Sequence, residues 1–421
     1  MRATETRAVT TRALKTLPKT THPIRALGLA LAMMAGSAAA GAAQAAEEPI
    51  RIGFAIAESG WLANYDLAPF RAAVTKIDEI NAAGGLNGRK IEYTVADTKT
   101  EQERAASVGA EMVSKGVDLL VVSCDYDFGA PAALAANQAG IIAMSLCAAD
   151  PKMGVQGIGP YAFTANSAAQ SEGIAIAEYA RRKMGLKTAY VLEDVTIEYD
   201  KSACAGFRAA WKADGGADAI VGEDTFRNED PSIAAQITRI KALPAPPDAI
   251  YMCTFTPGGA SAVRQLRAAG IDAPILASTA MVDNYWLSAV PDLKDFYLPA
   301  FMSLYGDDPR PEMAAFLKAF QERWKEAPVS SYAVLGYSLI ESWAKGVEKA
   351  GTPASDAVLA VMNTYKDEPF TAGPTTFTDQ MHIQLNRPWL IMKVSDGSFR
   401  AVEMYRNEMV PDMKLLFRVG Q

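Results

Sequence analysis

The chain has 421 residues, half of them apolar, which suffices for at least one large core and excludes a disordered protein; length alone suggests two or three domains. Its 48 Asp/Glu against 41 Lys/Arg would be repelled by phosphate backbones and anionic membrane surfaces, which argues against nucleic-acid binding. His22 and His382 are the only histidines, so chemistry that needs a histidine pair has little to draw on.

Met1 to Arg25 carries six Lys/Arg against the single acid Glu5, and the weakly apolar run "ALGLALAMMAGSAAAGAAQAA" follows. A basic leader, a short apolar stretch and small residues at Ala43 and Ala45 are the parts of a secretory signal peptide. Residues 1–45 are therefore expected to be removed near Ala46, leaving a soluble periplasmic protein with no cysteine near the cut to carry a lipid. Without that segment 35 Lys/Arg face 47 Asp/Glu, a net charge near −12. His22 leaves with it.

From Ile50 onward short β-branched runs alternate with helical periodicity. "IRIGFAIA" reads as a buried strand, and Phe70, Val74, Ile77 and Ile80 then mark one face of a helix that stops at Gly84-Gly85. "KIEYTVAD", helical "EQERAASVGAEMVSKG", "VDLLVVSC", helical "PAALAANQAG" and "IIAMSLC" continue the alternation. It restarts near Tyr161: "KTAYVLED", a helix over 200–214, "ADAIVGED", a helix over 232–242, "PDAIYMCTF", a helix over 258–269, and "APILAST". Strands separated by single helices form parallel sheets covered on both faces, and two such sets predict two doubly wound lobes. A helical block (310–325, 332–349, 354–364) follows, then "TTFT" and "RPWLIMKVSDGSFRAVEMY", with a hairpin turn at Asp396-Gly397.

Ligands of open parallel sheets sit beyond the C-terminal strand ends. Two such ends, Cys124 to Phe128 and Leu146 to Asp150, fall side by side. Asp125-x-Asp127-x-Gly129 lacks the later acid of a calcium loop, and Cys124 and Cys147 have no CxxC partner or nearby histidine for zinc, so no metal is expected. The two cysteines are either a disulfide or two small buried thiols, whereas Cys204 and Cys253 read as structural. Asp125 and Asp127 either serve the N-terminus of the helix entered through Pro131 or face a ligand. Aromatic residues recur at loop ends, Trp61, Tyr65, Tyr126, Tyr199, Phe255, Tyr285, Trp286 and Tyr332, as in a pocket lining. Neither GxSxG nor GxxxxGK[ST] occurs.

"SGWLANYDLAPFRAAVTKIDEINAAGGLNGRKIE", "GVDLLVVS", "GIIAMS" and "RQLRAAGI" resemble the branched-chain amino-acid (Leu/Ile/Val) binding proteins of ABC importers, which are type I periplasmic solute-binding proteins. The resemblance runs from about Ile50 to the C-terminal strands and is most specific in the NAAGG-x-NGRK-I run. It implies an α/β fold of two doubly wound parallel-sheet lobes joined by a three-strand hinge, a Venus-flytrap. The crossings fall near Thr164 to Asn166, Pro299 to Met302 and Gly373 to Thr375. Lobe 1 then comprises 49–165 and 300–374, and lobe 2 comprises 166–299 and 375–414. It further implies a non-enzymatic protein without cofactor, a monomer that closes on a small molecule and delivers it to an ABC permease in the inner membrane. The alternative is a ligand-sensing receptor module of the same fold.

The family's pocket aromatics match Tyr65, Tyr199, Phe255 and Tyr332. Its polar anchors are not kept: Tyr126, between Asp125 and Asp127, stands where a carboxylate-gripping serine is usual, and Cys147 and Ala149 replace an Ala-x-Thr. The acid for the ligand's ammonium falls at or near Thr279, with Asp283 four residues on. Each mismatched buried anchor costs roughly 1–3 kcal/mol. A polar, aromatic, amide or cationic solute is therefore expected ahead of a branched-chain amino acid.

Overall fold

A computed structural model describes residues 48–420; the expected leader, 1–45, lies outside the described residues. The first sheet contains β1 (Ile50–Ile56), β2 (Ile91–Asp97), β3 (Leu119–Val122), β4 (Ala143–Ser145) and β5 (Ala162–Thr164). All pair in parallel in the order β2-β1-β3-β4-β5. The intervening helices are α1 (Ala63–Ala82), α2 (Gln102–Ser114) and α3 (Tyr126–Gln138). β3 and β4 are short and buried throughout, as strands covered on both faces must be.

After α4 (Ala169–Arg182) the second sheet is built from β6 (Ala189–Asp194), α5 (Glu198–Gly215), β7 (Ile220–Phe226), α6 (Ala234–Lys241), β8 (Ala249–Cys253), α7 (Gly258–Ala268), β9 (Ile275–Ala277) and β10 (Phe296–Ala300). The chain then runs through α8 (Pro311–Trp324), α9 (Ala333–Ala350), α10 (Ser355–Met362) and a ribbon of β11 (Glu368–Phe370) and β12 (Gly373–Thr375). It returns to the second sheet as the hairpin β13 (Trp389–Ser395) and β14 (Ser398–Tyr405), before the short α11 (Met413–Leu416). The second sheet has the order β14-β13-β10-β9-β8-β6-β7, with β13 antiparallel to β10.

The helical block packs on α1: a Cβ at Gly336 of α9 would collide with the Pro69 carbonyl of α1, so only glycine permits that approach. Behind the cleft, buried Arg387 donates to Ala165 O at 2.9 Å and Thr375 Oγ1 at 2.8 Å, tying together two segments that run between the sheets. His382 is a core residue. It stacks on Phe163 at 3.6 Å, and its two ring nitrogens meet Ala162 O and Asn363 Oδ1.

The structure corrects several sequence expectations. The third helix starts at Tyr126, not at Pro131, because the Asp125 side chain accepts Asp127 N–H at 2.9 Å and caps it. "FYLPA" forms a strand despite Pro299, pairing with β9 at Phe296 and Tyr297 and with β13 from Tyr297 to Ala300. The seventh strand begins at Ile220, three residues later than "ADAIVGED", behind a 3₁₀ turn. "TTFT" contributes only Thr375 to a strand.

Candidate functional site

The strand ends of the two sheets meet across one cleft. On the first sheet, Val122 of β3 pairs with Ser145 of β4, so Cys124 and Cys147 leave the sheet at one level. They form a disulfide with Cα atoms 4.3 Å apart. Ser145 Oγ fastens both loops, donating to Ser123 O at 2.6 Å and accepting Ala148 N–H at 2.9 Å.

The neighbouring part of this wall comes from α1. Gly60, at φ 83°, makes a turn no side chain could make without meeting Thr100, and it delivers Trp61 and Leu62 to the cleft. Asp66, one turn on, is fully buried and accepts Ala57 N–H and Cys124 N–H, both at 2.7 Å. It pins the helix to the ends of β1 and β3, which places Tyr65. Burial pushes its carboxyl up to about 6 against the pull of those two N–H groups. Asp66→Ala is expected to lower stability by about 2 kcal/mol, because two stranded N–H groups outweigh relief from burying the acid. Urea denaturation checks this; an unchanged midpoint would contradict it.

The facing wall consists of Ile197 and Tyr199 around the start of α5, Phe255 beyond β8 and Ala280 beyond β9, with Asn166 and Tyr332 at the back. The walls touch directly. The rings of Trp61 and Phe255 lie 4.8 Å apart. Tyr65 Oη reaches Thr256 Oγ1 at 2.9 Å and donates to Ala280 O at 3.1 Å. Asp127 accepts Glu198 N–H at 2.9 Å, and Ser202 Oγ donates to Asp150 at 2.7 Å. The remaining cavity is about 30 Å³, room for roughly two waters. Outside the Trp61–Phe255 pair the cleft widens into a basin of about 420 Å³ lined by Gln102, Asp127, Asn228 and Glu229.

Among the sequence candidates, Trp61, Tyr65, Asp125, Cys147, Ala149, Tyr199, Phe255 and Tyr332 converge on the inner cavity. Asp127 lines only the outer basin. Tyr126 does not line either space: as the first residue of α3 it is turned beside Lys152, whose Nζ lies 5.8 Å from its ring centre. Thr279 is buried behind the cavity, its N–H donating to Glu172 at 2.7 Å. Cys204 and Cys253, read as structural, form a second disulfide with Cα atoms 5.6 Å apart.

The sequence reading missed Glu172. This α4 side chain also accepts the Tyr199 hydroxyl at 2.9 Å, and burial pushes its carboxyl up to about 7. The available signal was the acid that opens the apolar run "EGIAIA". Burial likewise raises Asp283 to about 7 and raises Asp125, whose neighbour Asp127 adds to the shift. Among the described residues no three His, Cys, Asp or Glu side chains could hold a metal ion, and no helix is long and apolar enough to cross a membrane.

Known proteins share this architecture. A Leu/Ile/Val-binding protein homolog of Brucella melitensis is 24% identical over 375 residues, 89% of this chain and 99% of its own length. An amino acid binding protein of Pseudomonas aeruginosa is 26% identical and covers 71% of this chain and 78% of its own length. The substrate-binding protein LivJ of Streptococcus pneumoniae, solved with isoleucine, superposes with a TM-score of 0.74 at 27% identity, covering 85% of this chain and 99% of its own. An ABC transporter solute-binding protein of Rhodopseudomonas palustris, solved with 3,4-dihydroxybenzoic acid, gives a TM-score of 0.72 at 21% identity over 87% of this chain and 99% of its own. The periplasmic binding protein family profile matches residues 49–398, so the chain, with its two α/β sheets facing one cleft, belongs to that family.

Proposed function

We propose that this chain is the solute-binding component of an ABC importer and that its solute is held where the two walls meet. The observation that carries the reading is the ring of five aromatic side chains, Trp61, Tyr65, Tyr199, Phe255 and Tyr332, drawn from both walls around one cavity. Lobe 1 (49–165, 300–374) and lobe 2 (166–299, 375–414) would part to admit the solute and close on it. The direct bonds of Tyr65 to Thr256 and Ala280 and of Asp127 to Glu198 belong to the closed state. A ligand drives such an equilibrium only through contacts that exist on closure, and side chains from both walls supply them.

The protein would be a periplasmic monomer, freed of residues 1–45, that hands its cargo unchanged to a permease. Cys147 and Ala149 at the wall leave no side-chain hydroxyl there for an α-carboxylate, which favours a polar, aromatic, amide or cationic solute over a branched-chain amino acid. Thermal-shift screening tests the reading, because a ligand of the folded state raises the melting temperature by mass action. Trp61→Ala and Tyr65→Ala are expected to weaken the identified ligand about tenfold or more while preserving the circular-dichroism spectrum. Undiminished affinity in both variants would place the site elsewhere.

A further inference from the structure

We infer that the solute is a small organic cation without a carboxylate, its charged group seated beside Asp125 among the rings of Trp61, Tyr65, Tyr199 and Phe255. The inference rests on the cleft being the solute site and deepens that reading by naming the solute's charge.

The first observation is the sign of the lining. The inner cavity and outer basin are bordered by Asp125, Asp127 and Glu229 and by no Lys, Arg or His. The nearby cations are already engaged: Lys152, Lys201 and Arg418 all pair with Glu198, and Arg227 pairs with Glu229. The buried carboxyls of Asp125, Glu172, Asp200 and Asp283 have no ion-pair partner among the described residues. Neither oxygen of the fully buried Asp200 has a hydrogen-bond partner, and the charges acting on it include Asp194, Asp125 and Glu172. Burying a carboxylate without a counter-charge is costly, and the closed cleft concentrates that cost around one cavity.

The second observation is independent of the first. A carboxylate ligand in an open parallel sheet is ordinarily gripped by free backbone N–H groups at helix starts. Here the chain's own carboxylates take several of them. Asp125 accepts Asp127 N–H at the start of α3, and Asp127 accepts Glu198 N–H at the start of α5. Asp150 accepts Lys152 N–H at 2.9 Å, and Glu172 accepts Thr279 N–H. Ser145 occupies Ala148 N–H. An incoming anion would meet acids at these four helix and turn starts, whereas a cation would meet acids and aromatic rings.

The test uses the mature protein and probes that share a ring and differ in charge: benzylamine, benzamide and benzoate, with isoamylamine set against leucine as an aliphatic pair. Melting temperature and calorimetric titration are read for each. The cations are expected to bind at least about tenfold more tightly than their neutral, anionic or zwitterionic counterparts. Asp125→Asn keeps the helix cap, since Asn caps as well as Asp, and is expected to weaken cations about tenfold without weakening benzamide. Tighter binding of benzoate or leucine than of the amines, or cation affinity unaltered in Asp125→Asn, would overturn the inference and leave the cleft standing as the site. Failure of every probe at millimolar concentration would overturn the inference and the cleft reading together.

Discussion

Replacing Cys204 and Cys253 together by Ala is expected to cost about 4 kcal/mol of stability, and replacing Cys124 and Cys147 about 3 kcal/mol. The difference follows from the chain each bond closes, 49 residues of sequence separation against 23. A cross-link removes more freedom from the unfolded ensemble as its loop grows. The two bonds also act in different places. Cys204–Cys253 joins α5 to β8 of the second sheet, where both residues are fully buried, so its loss should leave solute affinity near that of the parent protein. Cys124–Cys147 lines the cavity, so its loss should loosen the wall that carries Asp125 and Ala149 and weaken the solute as well. Denaturant midpoints at constant slope give the first comparison and titration with the identified solute the second. A smaller stability loss at the 49-residue bridge, or unchanged affinity without Cys124–Cys147, would contradict this account.

Both the fold and the cleft were legible where local pattern and global structure agree. β1, β3 and β8 are apolar runs of strand length, and α1 shows a stripe of helical period, so the α/β alternation could be read directly. The rule that strand ends gather ligands then brought Trp61, Tyr65, Tyr199 and Phe255 to one place. α4 lacked a readable stripe because it is buried on nearly every face. β10 was hidden by Pro299. Tyr126 illustrates how one cap redirects a side chain: Asp125 starts the helix at its neighbour, and the aromatic ring leaves the cleft. Glu172 lies 107 residues from its partner Thr279, and no local spacing announces a contact that only tertiary packing creates.

Glu172 also sets an expected pH dependence. Its carboxyl is raised from the ordinary 4.5 to about 7, chiefly by burial, against the opposing pull of the Thr279 N–H and Tyr199 hydroxyl. Near pH 6 the folded protein therefore keeps a proton that the unfolded chain has released, so the group's contribution is full below about 4.5 and is lost as pH rises through 7. A shift of that size corresponds to about 3 kcal/mol. Glu172→Gln retains an acceptor for Thr279 and carries no charge, so the fall in stability between pH 5 and pH 8 should shrink by about 3 kcal/mol. The variant should then exceed the parent protein above pH 7. Asp283, also raised to about 7, would still give the variant a residual slope of the same sign. Stability curves at several pH values check this, and an identical fall in both proteins would contradict it.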